Sequence, residues 1–299
     1  MIYFMILFMK KCLITHLSNI QYWEQKKTLS TIDRKELFQF RKQYYVPERT
    51  AFVVAGDFNR KLILPFLEEK LGHISKGLHD VFIPIQDPVI QSKPELYIKH
   101  KTDVSQTQII IAFKSHSFFS IYADVYDIIG DILSSGSSSR LFNLLRNQHG
   151  MSYYNYSTNI TYSFEGVFAI HIGVDNKKID DLIKKIIDEL KKIVKKGVTR
   201  EEVEKAKRIK ITSFALGLQT PQDLMNFYGQ QETLFSIGAV PQENKSRVNI
   251  KSRIESYNSI DLEIVNKVIR DLFRDDKLNI FIYGHPPHKE DIMANLKIQ

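Results

Sequence analysis

Cysteine is nearly missing from this chain. Cys12 is the only one in 299 residues, which excludes an intrachain disulfide and any zinc site built from cysteine thiolates. A membrane-length apolar run is missing too. Ile2–Met9 is apolar but too short to cross a bilayer, and its charges, Lys10 and Lys11, follow it where a secretory signal would place them first. That stretch is expected in the core, in a helix continuing toward Tyr22, with a membrane anchor as the alternative. No signal peptide or transmembrane helix is recognised, so the compartment stays open, cytoplasmic as written. A basic stripe is the third absence. The net charge is +8, but Lys and Arg are spread along helices, and Lys185–Lys196 alternates with apolar residues as one solvated helix face. With no nucleic-acid reader motif beside the charge, nucleic acid is not expected as a partner.

What is present reads as an α+β chain in two parts. Asp33 opens a helix through Arg41, and Tyr44-Tyr45-Val46-Pro47 breaks it. Thr50–Ala55 is a β-branched run expected as a buried strand, followed by Gly56-Asp57 and a helix near Asn59–Leu71. Pro84, Pro88 and Pro94 punctuate an extended connector, which sets the expected boundaries at 1–76, a linker at 77–94, and a domain at 95–299. In the second part, strands are expected at Leu96–His100, Gln106–Phe113, Gly166–Val174 and Leu278–Tyr283. Helices are expected at Tyr122–Leu133, Ile179–Lys196 and Ser259–Phe273. Thr199-Arg200-Glu201-Glu202 fits a capping box, and Thr220-Pro221 starts another helix with proline at its first position. Glu36–Gly56 and Glu263–Gly284 both run helix, turn, apolar strand, glycine, a faint repeat that suggests duplicated domains.

The most informative stretch is Ser134–Tyr154. A Gly/Ser turn feeds an amphipathic helix with Leu141, Leu144 and Leu145 on one face and Arg140 and Arg146 on it, ended by His149-Gly150. An aromatic strand, Tyr153-Tyr154-Asn155-Tyr156, follows. Arg146 in the last turn and Tyr153 just past the break are candidates to share one space, where a guanidinium and a phenol would hold a peptide carbonyl or an oxyanion. The structural reading of the same pair is an Arg that complements the helix dipole and a half-buried packing Tyr. Asn143 and Gln148, on nearby turns, are lesser candidates.

This wording resembles the M16 metallopeptidases, the pitrilysin, insulinase and mitochondrial processing peptidase family. There a Gly/Ser turn, then S-S-R-L-F, then R-x6-Y marks the domain that completes the active site. Here Ser138-Ser139-Arg140-Leu141-Phe142 is followed by Arg146 and, six residues between, Tyr153. The helix, Y-Y-x-P, strand, Gly-Asp, helix order also matches the close of the family's first domain. The resemblance implies LuxS/MPP-like α+β domains, each an antiparallel sheet with flanking helices: the last part of one domain in 1–76 and an essentially complete one in 95–299. It also implies that Arg146 and Tyr153 bind substrate and support the transition state.

The family's zinc motif, H-x-x-E-H, is not here. None of the nine histidines sits in it. His285-Pro286-Pro287-His288-Lys289-Glu290 is the nearest cluster, but its prolines forbid the regular helix such a site needs. His171, inside a strand, is expected as a packed or hydrogen-bonded core histidine. No metal site and no bound cofactor are expected on this chain, with zinc expected on a partner or on a missing N-terminal half, and the chain alone is expected to be inactive. The resemblance implies an H-x-x-E-H-bearing M16 subunit as partner and peptides as substrate. Two alternatives stay open. One is a non-catalytic structural subunit like the core proteins of the respiratory bc1 complex. The other is a truncated fragment of a longer peptidase, which the start MIYFMILFMKKC would suit.

Overall fold

The computed structural model describes residues 29–74, 77, 91–162, 165–236, 249–285, 289–294 and 296–299. In chain order come helices α1 (Arg34–Tyr44) and α2 (Arg60–Leu71), then strands β1 (Glu95–His100) and β2 (Thr107–Ser115). Helix α3 (Ala123–Ser134), a short helical segment at Arg140–Gln148, and strands β3 (Ser152–Thr161) and β4 (Gly166–Val174) come next. The chain continues through α4 (Ile179–Lys196), α5 (Arg200–Leu216), α6 (Pro221–Ser236), α7 (Ile250–Ser259), α8 (Leu262–Leu272), β5 (Leu278–Gly284) and α9 (Lys289–Ala294). Two compact units result. One takes in the described residues of Ile85–Ile211 and Glu255–Gln299, the other those of Tyr22–Pro84 and Thr212–Ile254. The expected linker at 77–94 falls largely outside the described residues, as does the expected N-terminal helix.

The first unit is a five-stranded sheet in the order β1-β5-β2-β4-β3. Four strands run antiparallel, and β1 joins β5 in parallel, with Glu95 opposite Asn279. Alternation along the strands sorts the side chains to two faces. Ile109, Ile111 and Phe113 of β2, Phe168, Ile170 and Ile172 of β4, and Ile280 and Ile282 of β5 are buried with the apolar faces of α3, α4 and α8. In α4 the buried positions 179, 182, 183, 186, 187, 190 and 193 follow the helical period, so the lysines between them stay at the solvent side. Gly197 closes α4 at φ +76°, where a side chain would also strike Asn266, whose Oδ1 accepts from the Val198 N–H at 2.9 Å. The opposite face carries smaller residues, Ile110, Ala112, Val167 and Ala169, with Phe281 stacked on Tyr97 at 4.8 Å.

Several expectations stand with small shifts of boundary. Thr199 and Glu202 form the capping box of α5, their side chains and backbones bonding reciprocally at 2.7 and 3.2 Å. The helix expected near Ser259–Phe273 is α8, which starts at Leu262 because Asp261 caps it by accepting from the Ile264 N–H at 2.8 Å; α7, ending at Ser259, precedes it.

In the second unit one expectation fails. Thr50–Ala55 is not a buried strand. Its residues alternate between half-buried and exposed, as extended backbone does, but no ladder forms on it among the described residues, and Phe52 is 61% exposed. A β-branched run needs strands at its edges to become a buried strand, and none of the described residues supplies one. Helices α1 and α2 likewise bury no residue, although Leu37, Phe38 and Phe40 lie on one and Leu62, Leu64 and Phe66 on the other.

Candidate functional site

The turn before the Arg/Tyr stretch is set by Gly136 at φ +78° and by Ser139, whose hydroxyl donates to the Gly136 carbonyl at 2.8 Å. Arg140 then anchors the start of the helical segment. Its Nε and Nη2 donate to both oxygens of Glu202 on α5 at 2.6 and 2.9 Å, and its Nη1 to Glu189 on α4 at 3.1 Å. All three side chains are mostly buried, so this bidentate clasp is shielded from water. Burial pushes the Glu202 carboxyl up, but the Arg140 guanidinium and the Thr199 capping bonds outweigh it and hold the group below its usual range.

Past Arg140 the expected α-helix is corrected. One α-turn, Arg140–Phe142, passes into a π-helical segment, Asn143–Gln148. The wider turn keeps Leu141 and Leu145 fully buried while Arg146 stays exposed. The Leu145 carbonyl accepts from the Met151 N–H at 2.8 Å, Gly150 reverses the chain at φ +55°, and Lys178 Nζ donates to the Gly150 carbonyl at 3.1 Å. Strand β3 begins at once with a bulge: Ser152 pairs with Val174 and Tyr154 with Gly173, so Tyr153 is the extra residue.

The outcome is a specific linkage between the two candidates. Arg146 Nη1 donates to the Ser152 carbonyl at 3.0 Å, the peptide oxygen just ahead of Tyr153. Among the described residues no acceptor takes its other N–H groups, and the Tyr153 hydroxyl has no hydrogen-bond partner, its side chain being 55% exposed. No hydrogen bond or ring contact joins the two side chains themselves among these residues; the peptide between Ser152 and Tyr153 is their link. Chemically, the guanidinium already holds one peptide carbonyl and keeps donors for another. Asn143 accepts from Asn147 at 3.3 Å, and Asn147 also donates to the Ser137 carbonyl at 3.3 Å, so Asn143 belongs to a local surface network. Gln148 is exposed.

Strand register places three aromatic rings in a row that no sequence spacing announces. Tyr156 lies opposite His171 and stacks on it at 4.7 Å, and Tyr154 stacks on Tyr156 at 6.0 Å. Gly173 leaves room for the Tyr154 ring, which a Cβ there would strike. His171 is 8% exposed, its Nε2 is 3.0 Å from Thr158 Oγ1, and burial pushes it down to about 4, so the ring is neutral at pH 7. It is the hydrogen-bonded core histidine expected of it.

A zinc site does not fit the described residues. No three of their His, Cys, Asp and Glu side chains are grouped as ligands. His285 Nε2 lies 3.0 Å from the Thr102 carbonyl, and His288 falls outside the described residues. No helix among them is long and apolar enough to cross a membrane.

Comparisons with known proteins bear on the family and the fold. The family described as the peptidase M16 inactive domain matches residues 31–210. A Bacillus subtilis protein named as an uncharacterized zinc protease, YmxG, is 26% identical over 84% of this chain and 58% of its own length. A Rickettsia bellii protein, also named as an uncharacterized zinc protease, is 25% identical over 69% of this chain and 47% of itself. The chain therefore spans about half the length of the curated relatives it matches. Among solved structures, a peptidase M16 inactive domain from Pseudomonas fluorescens superposes with a TM-score of 0.75 at 18% identity, over 94% of this chain and 64% of that one. A chain of complex III2 from Candida albicans gives 0.79 at 13% identity, over 99% and 70%.

Proposed function

Because the chain belongs to the M16 peptidase family, through the domain described there as inactive, we propose that it is the non-zinc half of a two-part peptidase. In this reading it binds and orients a peptide whose bond is cleaved on a partner bearing H-x-x-E-H. The observation that carries the reading is the Arg146 guanidinium. It is bonded to the peptide carbonyl ahead of Tyr153, at the bulge that opens β3, and retains N–H groups to donate. Such donors hold a substrate carbonyl in one orientation and offer hydrogen bonds to an oxygen that gains negative charge. The sequence carries no H-x-x-E-H motif, so this reading gives the hydrolytic step to the partner.

The test is reconstitution. This chain and an H-x-x-E-H-bearing M16 subunit from the same organism, each inactive alone, are expected to cleave an unstructured peptide when mixed. Stoichiometric zinc on this chain alone, with chelator-sensitive cleavage, overturns the proposal.

A second reading is a structural subunit whose chemistry has lapsed. It draws on the likeness to a chain of a respiratory complex and on the apolar surface of the second unit, which suits assembly. Reconstituted cleavage that depends on Arg146 separates the two.

A further inference from the structure

The helix-facing side of the sheet is apolar until it reaches β3. Ile109, Ile111 and Phe113 of β2 face the helices, as do Phe168, Ile170 and Ile172 of β4. By strand alternation β3, the outer strand, presents Asn155, Ser157 and Asn159 on that side, opposite Ile172, Ile170 and Phe168. Between β3 and α3 lies a cavity of about 320 Å³, lined by Asp127, Asp131, Ser157, Asn159 and Lys210, whose Nζ is 3.0 Å from Asp127. The oxygens Asp131 Oδ2, Asn155 Oδ1 and Asn159 Oδ1 are buried and accept no hydrogen bond from the described residues. Two hydroxyls do the holding instead of apolar packing. Ser134 Oγ accepts from the Ser157 N–H at 2.8 Å, and Ser157 Oγ donates to the Gly130 carbonyl at 3.1 Å. Gly130 permits that approach, since a Cβ there would stand 2.9 Å from Ser157 Oγ.

Buried acceptors without a donor raise the free energy of the closed strand, and water satisfies them once the strand lifts. Lifting also exposes little apolar surface on the α3 side of β3, the loss that keeps a core strand in place. We propose that β3 is a hinged outer strand, which lifts from β4 and α3 as a whole while the other four strands stay paired. Ser152 and Tyr153 open β3, and Arg146 bonds the Ser152 carbonyl. The closed strand therefore assembles the Arg146 and Tyr153 neighbourhood, and the lifted strand takes the carbonyl away from Arg146. This is a property of the fold and holds whether or not the chain takes part in peptide cleavage.

The outward Ser157 N–H sets the ladder. Tyr156 bonds His171 and Thr158 bonds Ala169, whereas Ile170 and Ile172 direct their N–H groups to β2. Amide hydrogen–deuterium exchange, read residue by residue by NMR on the full chain, tests the hinge. Tyr156, Thr158, Ala169 and His171 are expected to share one protection factor, lower than that of Ile170 and Ile172 by about 100-fold or more. Equal protection on the two sides of β4, or protection that declines gradually from one end of β3, overturns the proposal. A second arm locks the strand. With Cys12→Ser removing the native thiol, Ser134→Cys and Ser157→Cys place two thiols where the hydroxyl oxygens lie 2.8 Å apart. The oxidised chain, its disulfide confirmed by mass, is expected to raise the protection of the group to that of Ile170, and reduction to restore the difference. Protection of the group that the disulfide leaves unmoved overturns the proposal.

Discussion

The two units use similar ingredients to opposite ends. In the first, α4 buries seven apolar residues against a sheet whose own apolar positions are sealed on that side. In the second, α1 and α2 carry phenylalanines and leucines and bury none of them. Amphipathic sequence thus makes a helix in both places, but it makes a core only where a sheet is present to receive it. Arg146 and Tyr153 belong to the first unit, while Phe52, Leu62 and Phe66 of the second are exposed.

Truncating a core ring should break this contrast most visibly. Phe113, fully buried beside Phe273 at 5.0 Å, is expected to lose about 4 kcal/mol as Phe113→Ala in denaturant unfolding. Acid comes next. His171 has a lowered pKa in the folded chain, so the unfolded chain takes up the proton first as pH falls below the ordinary 6.5. Its contribution is complete above pH 6.5 and drains away toward pH 4, by at most about 3 kcal/mol, and His171→Phe should flatten that slope. The lowered carboxyl of Glu202 acts in the same direction further down: its stabilisation is present above the ordinary 4.5 and is lost as pH falls through the folded value. Arg140→Ala, which leaves Glu189 and Glu202 half-buried without their guanidinium, should cost about 2 kcal/mol, with part regained when Glu202→Gln is added. At the small end, Leu62→Ala in the second unit should change the unfolding free energy by under about 0.5 kcal/mol, since Leu62 is 71% exposed. A loss near that of Phe113→Ala would mean that this unit has a core after all.

Sequence pattern located much of the first unit to the residue. Gly166–Val174 and Ile179–Lys196 are the observed bounds of β4 and α4, because strong apolar periodicity between clear turn signals leaves little freedom. The Arg146 and Tyr153 neighbourhood was legible as a motif, yet its geometry was not. The π-helical segment and the bulge at Tyr153 are single-residue changes of register, and periodicity over a few residues does not resolve them. The Tyr154, Tyr156 and His171 row arises from pairing between strands, which no local spacing encodes. Thr50–Ala55 failed for a different reason: its composition is that of a buried strand, but burial is a property of its neighbours.

The most direct measurement is the steady-state rate of peptide cleavage by the reconstituted pair, comparing the native chain with Arg146→Ala. Loss of one positioned donor to a developing oxyanion predicts a fall in kcat/KM of about 100-fold, with Tyr153→Phe falling less and zinc content of the pair unchanged. Cleavage that proceeds equally fast without the Arg146 guanidinium would contradict the account, and would leave this domain as scaffold.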